Sequence, residues 1–467
     1  MRMLGALSYT SWGWRKQDLL KVYTSTIRSR IGYAEASWQP WCQKSNIDTL
    51  ERAQSKALRK ITGQLQCTAT DVLRREADTI SIKTGVVRAC MQSREKAERL
   101  PDNHPRKLAL YNARERRNGR NSWFQRSNKI RADFNLPIEL ENRKPLEYHS
   151  RDPWNPPTNL AVFPSLEGVT SKDESDVKKQ TAAATRIASL MPGTVIYTDG
   201  SAAEGTRDGG AGVVIANNDP VNPQIITTIA KKGAAFTSSY DEEVQAMATA
   251  ADWIRDNCPE GERVLIMTDS KSLCEALLSF NPVTDPITKS FADSNAVITV
   301  QWVPSHCGIP GNEAADGVAN QAARSVGEPR PISYNSASAV IRRNIRDAPI
   351  AKPEQREAYA CMNRDKELEI NNRKDQVDLA RLRSGYHPQL MTYKHKLNDT
   401  ISPLCPRCEQ EDDTVVHWLR NCPATSEAKI RTFGTLDVDL DVLTKEPRKA
   451  VALARSSLLG APAVARL

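Results

Sequence analysis

The run GTVIYTDGSAAEGTRDGGAGVVIANNDPVNPQIITTIA, residues 193–230, decides how the chain is read. Three β-branched stretches lie within it: TVIYT (194–198), AGVVI (211–215) and QIITTIA (224–230). RDGG and NNDP separate them. Short apolar runs punctuated by Gly, Asn, Asp and Pro read as strands joined by turns. Downstream, helical patterns alternate with two more such runs, RVLIM (263–267) and VITVQWV (297–303). Three strands, helix, strand, helix, strand, helix predict an α/β domain with a mixed five-stranded sheet and flanking helices.

Four acidic residues occupy special places in that pattern. Asp199 ends the first strand, in YTDGS, and Asp269 ends the fourth, in MTDS. Carboxylates at the ends of two strands of one sheet can converge on one edge. Gly200 lets the backbone turn directly after Asp199. Glu243 opens a helix whose inward face holds Met247, Ala250, Ala251 and Ile254. Ser239 and Glu242 ahead of it have capping-box spacing. A glutamate on an apolar face is costly unless a cation compensates it. Asp316, in GNEAADGVANQAA, is expected to start a helix near its packed side. Grouped carboxylates suit hard divalent cations, and two such ions about 4 Å apart are what phosphodiester cleavage needs. Taken singly, each Asp-Gly or Asp-Ser also fits a simple turn.

The remainder of the chain divides by composition. The 467 residues carry a net charge of +9, with 39% hydrophobic and 26% charged side chains. Residues 1–130 hold 26 Lys and Arg against 11 Asp and Glu, whereas 191–326 hold 8 against 17. A basic flank beside an acidic core points to a polyanionic partner. Residues 15–66 read as helices, with Leu19, Leu20, Tyr23, Ile27 and Ile31 at helical spacing and Gly63 as a stop. Residues 101–190 read as a partly disordered linker, rich in proline and carrying ARERRNGR at 113–120, with a helix at about 174–189. Residues 335–430 read as helical with a cysteine cluster, and 431–467 as a basic, apolar tail. No stretch approaches the roughly 18 apolar residues of a membrane span. No membrane partner and no signal peptide are expected, so an intracellular location, nucleus or cytoplasm, is anticipated. The oligomeric state is left open.

The ten cysteines are scattered, which argues for a reducing compartment and no disulfide framework. The exception is Cys405, Cys408, His417 and Cys422, spaced C-x2-C-x8-H-x4-C. Three thiolates and one imidazole suit a tetrahedral structural Zn²⁺, a small zinc knuckle. Trp418 beside it is expected to pack on the knuckle or to stack on a nucleobase.

In order, TDGS, SSYDEEVQA, TDS and WVPSHCGIPGNEAAD resemble type 1 ribonuclease H over about 193–326, most closely the version fused to the polymerase of non-LTR retrotransposons. The resemblance implies a ribonuclease H-like fold and hydrolysis of the RNA strand of an RNA–DNA hybrid. It makes Asp199, Glu243, Asp269 and Asp316 ligands of two Mg²⁺ ions, or Mn²⁺ in their place. It makes His306 a helper in proton transfer or product release. Gly200, Ser201 and Ser270 are the residues expected near the RNA strand. Proofreading exonucleases of similar fold place an acid two residues after the first Asp, where this chain has Ser201. Integrases lack the TDGS hairpin and the SHCGIPGNEAAD loop.

The flanks extend the resemblance. YTSTIRSRIGYAEASWQPW, LERAQSKALRKITG and CTATDVLRREAD resemble the helical, thumb-like segment after the palm of non-LTR reverse transcriptases, here residues 1–100. DPWNPP (152–157) resembles the linker before ribonuclease H, and LARLRSGYHPQLMTYKHKL with the knuckle resembles the C-terminal module of the same proteins. No Tyr-x-Asp-Asp occurs, so the chain resembles the C-terminal part of such a polyprotein and is not expected to polymerise DNA alone. Residues 279–296, where some cellular relatives carry a basic insertion, hold only Lys289 as a base. Affinity for the hybrid, and for single-stranded or duplex nucleic acid, is therefore expected from the basic flank and the knuckle. The alternatives are a catalytically silent nucleic-acid-binding remnant using those same flanks, and a packaging protein, which leaves the carboxylates unexplained.

Overall fold

A computed structural model of the chain describes residues 2–109, 123–137, 140, 142–146, 148–149, 152, 154, 156–169, 174–220 and 222–459. The charged run at 113–120, parts of DPWNPP and the last residues of the tail lie outside the described residues. Two compact units are present: Met91–Asn344, and Met1–Cys90 together with Ile345–Leu467.

The first unit is built on six strands: β1 (Leu160–Phe163), β2 (Thr194–Ala203), β3 (Arg207–Ala216), β4 (Ile225–Lys232), β5 (Arg263–Thr268) and β6 (Val297–Trp302), in the order β1-β6-β5-β2-β3-β4. The β2–β3 and β3–β4 pairs are antiparallel, and β5 and β6 join parallel to β2 and to each other. Five strands are those anticipated. The sixth, β1, pairs parallel with β6 and comes from the stretch expected to be linker. Its residues do alternate between half-buried and exposed, but four residues amid prolines are too few to announce a strand by alternation.

Period-two alternation separates two cores. On one face, Ile196, Val213, Ile215, Ile266 and Val300 pack against α2 (Ser239–Asn257), α3 (Lys271–Leu278) and α4 (Asp285–Asp293). On the other, Val195, Tyr197, Val214, Leu265 and Met267 meet Ala183 and Ile187 of α1 (Asp176–Leu190) and Ala315 of α5 (Pro310–Arg324). RDGG does not form the first turn. It is paired within β3, and the chain reverses instead at Glu204 and Gly205, both with positive φ. Both glycines answer to close neighbours: a Cβ on Gly210 would come within 2.2 Å of Ala323 N on α5, and one on Gly209 within 2.4 Å of the Glu242 carboxylate on α2. A glycine inside a strand often marks such a close backbone approach.

In the second unit the N-terminal and C-terminal helices share buried contacts. The long helix Lys44–Thr62 ends at Gly63, whose φ of +68° is the left-handed cap anticipated there. Arg373 donates to the carbonyls of Ile61 (2.7 Å) and Lys60 (3.1 Å) near that terminus. Lys16, Glu76, Glu367 and Arg383 form a buried ion network, with Lys16 Nζ 2.7 Å from Glu76 and 2.6 Å from Glu367. Burial alone would raise Glu367, but Arg383 and Lys16 outweigh it and hold its carboxyl down to about 2. Within the tail, short helices run Val442–Lys445 and Pro447–Ala454.

Candidate active site

The parallel register of β2 and β5 pairs Thr198 with Thr268, so Asp199 and Asp269 follow side by side. Asp269 directly follows the end of β5, but Asp199 does not end its strand and the chain does not turn at Gly200: β2 runs on to Ala203, paired with β3. Adjacent strands are about 4.8 Å apart, which places two carboxylates within reach of one ion. Asp269 is pinned through its backbone, whose carbonyl accepts from Trp302 Nε1 at 3.0 Å. Glu243 arrives on α2. A Cβ on Gly200 would lie 2.2 Å from Glu243 N, so only glycine admits the helix at this distance. One ligand oxygen from each of Asp199, Glu243 and Asp269 lies within 4.8 Å of the others.

The start of α2 departs from expectation. The N-cap is Ser238, which accepts from Asp241 N at 3.2 Å, not Ser239. Glu242 turns into the fold, where Thr237 Oγ1 (2.6 Å) and Arg330 (2.8 Å) bind it. A neighbouring arginine competes successfully for the carboxylate that would have closed a capping box.

Asp316 does not start its helix. Pro310 does, with its ring at the first position, and Asp316 sits in the second turn of α5. Asp199 pairs with Gly212, where a Cβ would meet Ala315 O and Ala319 N at 2.5 Å; the bare backbone draws in the helix that carries Asp316. Asp316 stays half-exposed and outside the group of three. Its Oδ1 accepts from Asn320 Nδ2 at 3.0 Å, and Asn320 Oδ1 accepts from Ser201 Oγ at 2.6 Å.

Packing acidic groups this closely changes their chemistry. Burial, then the charges of Asp269 and Asp316, push Asp199 up to about 7. Glu243 is raised well above the usual range by burial and by Asp199 and Asp269. Burial also raises Asp269, against the opposing charge of His306. Glu243 Oε2 is buried with no hydrogen-bond partner. A buried carboxylate oxygen without a hydrogen-bond partner, among carboxylates whose charge burial disfavours, suits a bound cation, so the donor set fits hard divalent cations.

His306 is exposed in the loop between β6 and α5, in a left-handed conformation (φ +48°). Gly308, with φ +75°, follows it. Gly200 is buried, whereas Ser201 and Ser270 are partly exposed, Ser270 at the N-cap of α3. Sequence reasoning missed two residues here. Asn312, buried near the start of α5, supplies a hydrogen bond that lowers Asp269. Asn320 links Ser201 to Asp316. Only its spacing of four from Asp316 hinted at the contact.

A separate constellation lies in the second unit. Ligand atoms of Cys405, Cys408, His417 and Cys422 all fall within 4.8 Å of one another. The Cys405 and Cys422 sulfurs are 3.9 Å apart, close to the ~3.8 Å edge of a tetrahedron with 2.3 Å zinc–sulfur bonds. His417 Nδ1 is 2.9 Å from Glu411 Oε2, which leaves Nε2 facing Cys408 Sγ at 3.2 Å. A carboxylate behind a histidine is the usual way to fix a ligand's tautomer. A backbone N–H from Gln410 and the surrounding donors lower the Cys408 thiol to about 7, while burial holds Cys405 up at about 11. The donor set fits Zn²⁺. Trp418 is fully buried and donates to Ser457 Oγ at 3.0 Å, so it packs and offers no face to a base.

The fold of the first unit is ribonuclease H-like, a mixed sheet with helices on both faces. The chain is similar to the N-terminal RNase H domain of a Mycobacterium tuberculosis protein, solved as a fusion with maltose-binding protein, at 18% identity; the match covers 28% of this chain and 92% of that one, with a TM-score of 0.23. It is also similar to RNase H1 from the halophilic archaeon Halobacterium salinarum, at 17% identity over 28% of this chain and 96% of that one, again with a TM-score of 0.23. No curated protein matches the chain. Over residues 191–324, the span of β2 to α5, the chain matches the family model for RNase H, and it is this segment that is an RNase H domain.

Proposed function

We propose that the protein is an endonuclease that hydrolyses the RNA strand of RNA–DNA hybrids by two-metal catalysis. The observation that carries the reading is the close grouping of Asp199, Glu243 and Asp269, with Glu243 Oε2 buried and without a hydrogen-bond partner. Asp199, Glu243, Asp269 and Asp316 would hold two Mg²⁺ ions, or Mn²⁺. Such ions, when bound, make bound water a nucleophile at neutral pH and stabilise the leaving oxygen. The carboxylates orient the phosphate and exclude bulk water. His306, exposed beside Asp269, moves a proton at the leaving oxygen or the departing product. Gly200, Ser201 and Ser270 line the approach of the RNA strand, where 2′-hydroxyls distinguish RNA from DNA.

With 17 acidic and 8 basic residues over 191–326, the domain alone is a poor ligand for a phosphate backbone. The basic N-terminal segment, with 26 Lys and Arg in residues 1–130, and the zinc knuckle supply the grip on nucleic acid. The chain is read as the C-terminal part of a non-LTR reverse transcriptase polyprotein. The test is a labelled RNA–DNA hybrid given to the purified chain with Mg²⁺, beside an Asp199→Asn control. Cleavage of the RNA strand by the wild type alone is expected. No cleavage, or equal cleavage by the control, removes the enzyme reading.

A further inference from the structure

The fourth carboxylate differs from the other three. Asp199, Glu243 and Asp269 are held by the close approach of β2, β5 and α2, whereas Asp316 projects half-exposed from the second turn of α5, outside their group. A side chain in that position is free to rotate unless something restrains it. What restrains it is Asn320, one turn along the helix, whose Nδ2 donates to Asp316 Oδ1 at 3.0 Å. Asn320 is itself oriented from the sheet: Ser201 Oγ donates to its Oδ1 at 2.6 Å. The two bonds use the two ends of one amide. Its oxygen accepts from β2 and its nitrogen donates to Asp316, so a flip would set the amide oxygen against the carboxylate and lose the bond to Asp316.

We propose that Asn320 and Ser201 are positioning residues, which tie Asp316 to the strand bearing Asp199 and so prepare the second cation site of the nuclease. The inference rests on the two-metal reading above. Asp316 Oδ1 is engaged by the amide, which leaves Oδ2 to face a cation. Ser201, two residues after Asp199 on the same strand, sets the register between the two halves of the site. A helical i, i+4 pair would by itself be unremarkable; the strand hydroxyl makes it a tertiary strut. Partners that orient metal ligands in this way commonly contribute ten- to a hundredfold to metal affinity.

The experiment is calorimetric titration of Mn²⁺ into the zinc-loaded full chain, alongside hybrid cleavage as a function of Mg²⁺. Wild type is expected to show two Mn²⁺ sites. Asn320→Ala keeps the first and weakens the second by about tenfold, in line with the usual effect of such partners. Its cleavage curve moves to higher Mg²⁺ and regains the wild-type rate at saturation. Asn320→Asp, which loses the donor and adds a like charge, is weaker still, and Ser201→Ala is intermediate. Alanine favours the helix, so loss of folding is not the expected confounder; unchanged thermal melts check it, and Asn320→Gln, which keeps the amide, should recover part of the loss. A wild-type isotherm with one site or none, or an Asn320→Ala isotherm that superposes on wild type, overturns the proposal. A wild type that binds two Mn²⁺ but cleaves no hybrid overturns the nuclease reading and leaves this one standing.

Discussion

Asp199→Asn should abolish cleavage and, without divalent cations, stabilise the fold. An unfolded aspartate titrates near 3.8, whereas the folded Asp199 is held up to about 7, first by burial and then by Asp269 and Asp316. The folded state therefore binds this proton more tightly, so stability is greatest at low pH and is lost as pH rises through the folded value. At 1.36 kcal/mol per unit, ionising it in the fold costs about 4 kcal/mol at pH 8 and about 2 kcal/mol at pH 5.5. The wild type should thus lose about 2 kcal/mol between those pH values, a loss that asparagine removes. For a unit the size of Met91–Asn344, each kcal/mol moves the melting temperature about 2–4 °C. The assay is thermal unfolding at the two pH values in buffer freed of Mg²⁺ by dialysis, since a chelator would also strip the cysteine cluster. The variant should melt about 8–16 °C above wild type at pH 8, by the same scaling, and the gap should narrow at pH 5.5 and on adding Mg²⁺ to wild type. A variant that melts at or below wild type at pH 8 would refute the reasoning, because the carboxylates would then carry no uncompensated charge.

Three further outcomes follow from the same geometry. His306→Ala removes an exposed loop side chain that is not among the grouped ligands, so single-turnover cleavage should fall by about a hundredfold or more with Mn²⁺ binding unchanged. Cys405→Ser opens a four-ligand shell: zinc content measured by a colorimetric chelator should drop from one per chain to none, with a lower melting transition for the second unit. Arg383→Met leaves Glu76 and Glu367 buried beside Lys16 alone, and should cost about 3–5 kcal/mol in urea unfolding; Arg383→Met with Glu367→Leu should recover much of it.

The parts legible in the sequence were those written in local pattern. Five strands announced themselves by β-branched runs, and Asp269 by its place after a strand end, because a strand's period and its terminal turn are both properties of a few adjacent residues; Asp199 was found by its motif, but its strand runs on to Ala203 because β3 continues to pair with it. What escaped was set by partners distant in the chain. β1 is a strand because β6 offers it an edge, not because Leu160–Phe163 is strongly patterned. Gly209 and Gly210 resemble a turn until α2 and α5 are seen against them. Glu242 resembles half of a capping box until Arg330, 88 residues away, claims it. Asn320 carried only its spacing of four from Asp316 as a hint, since its role depends on a hydroxyl contributed by β2. The carboxylates were visible as residue types in order, but the upward pKa shift that burial imposes on Asp199, Glu243 and Asp269 was not.

The division of the basic segment between the two units changes how the source of nucleic-acid affinity has to be tested. Residues 1–90 fold with 345–467, and Met91 onward folds with the nuclease domain. Deleting residues 1–130 would therefore strip Lys16 and Glu76 from a buried ion network and, in the other unit, Glu95 from its ion pair with Arg143 at 2.9 Å. Lost binding after such a deletion would report lost folding as readily as lost charge. Exposed bases are the sound probes, because their removal leaves the cores intact. Lys21, Lys56 and Lys60 are exposed on the second unit, and Lys96 is exposed on the first. Each phosphate contact removed should lower the slope of log affinity against log salt by about 0.7–0.9, whereas an unfolded flank would abolish binding at every salt concentration. Neutralising Lys21, Lys56 and Lys60 together should thus flatten the salt dependence of hybrid binding if the second unit supplies the grip, and Lys96→Gln should do so, by a single step, if the nuclease unit carries its own. The salt slope, not the bare affinity, tells the two apart.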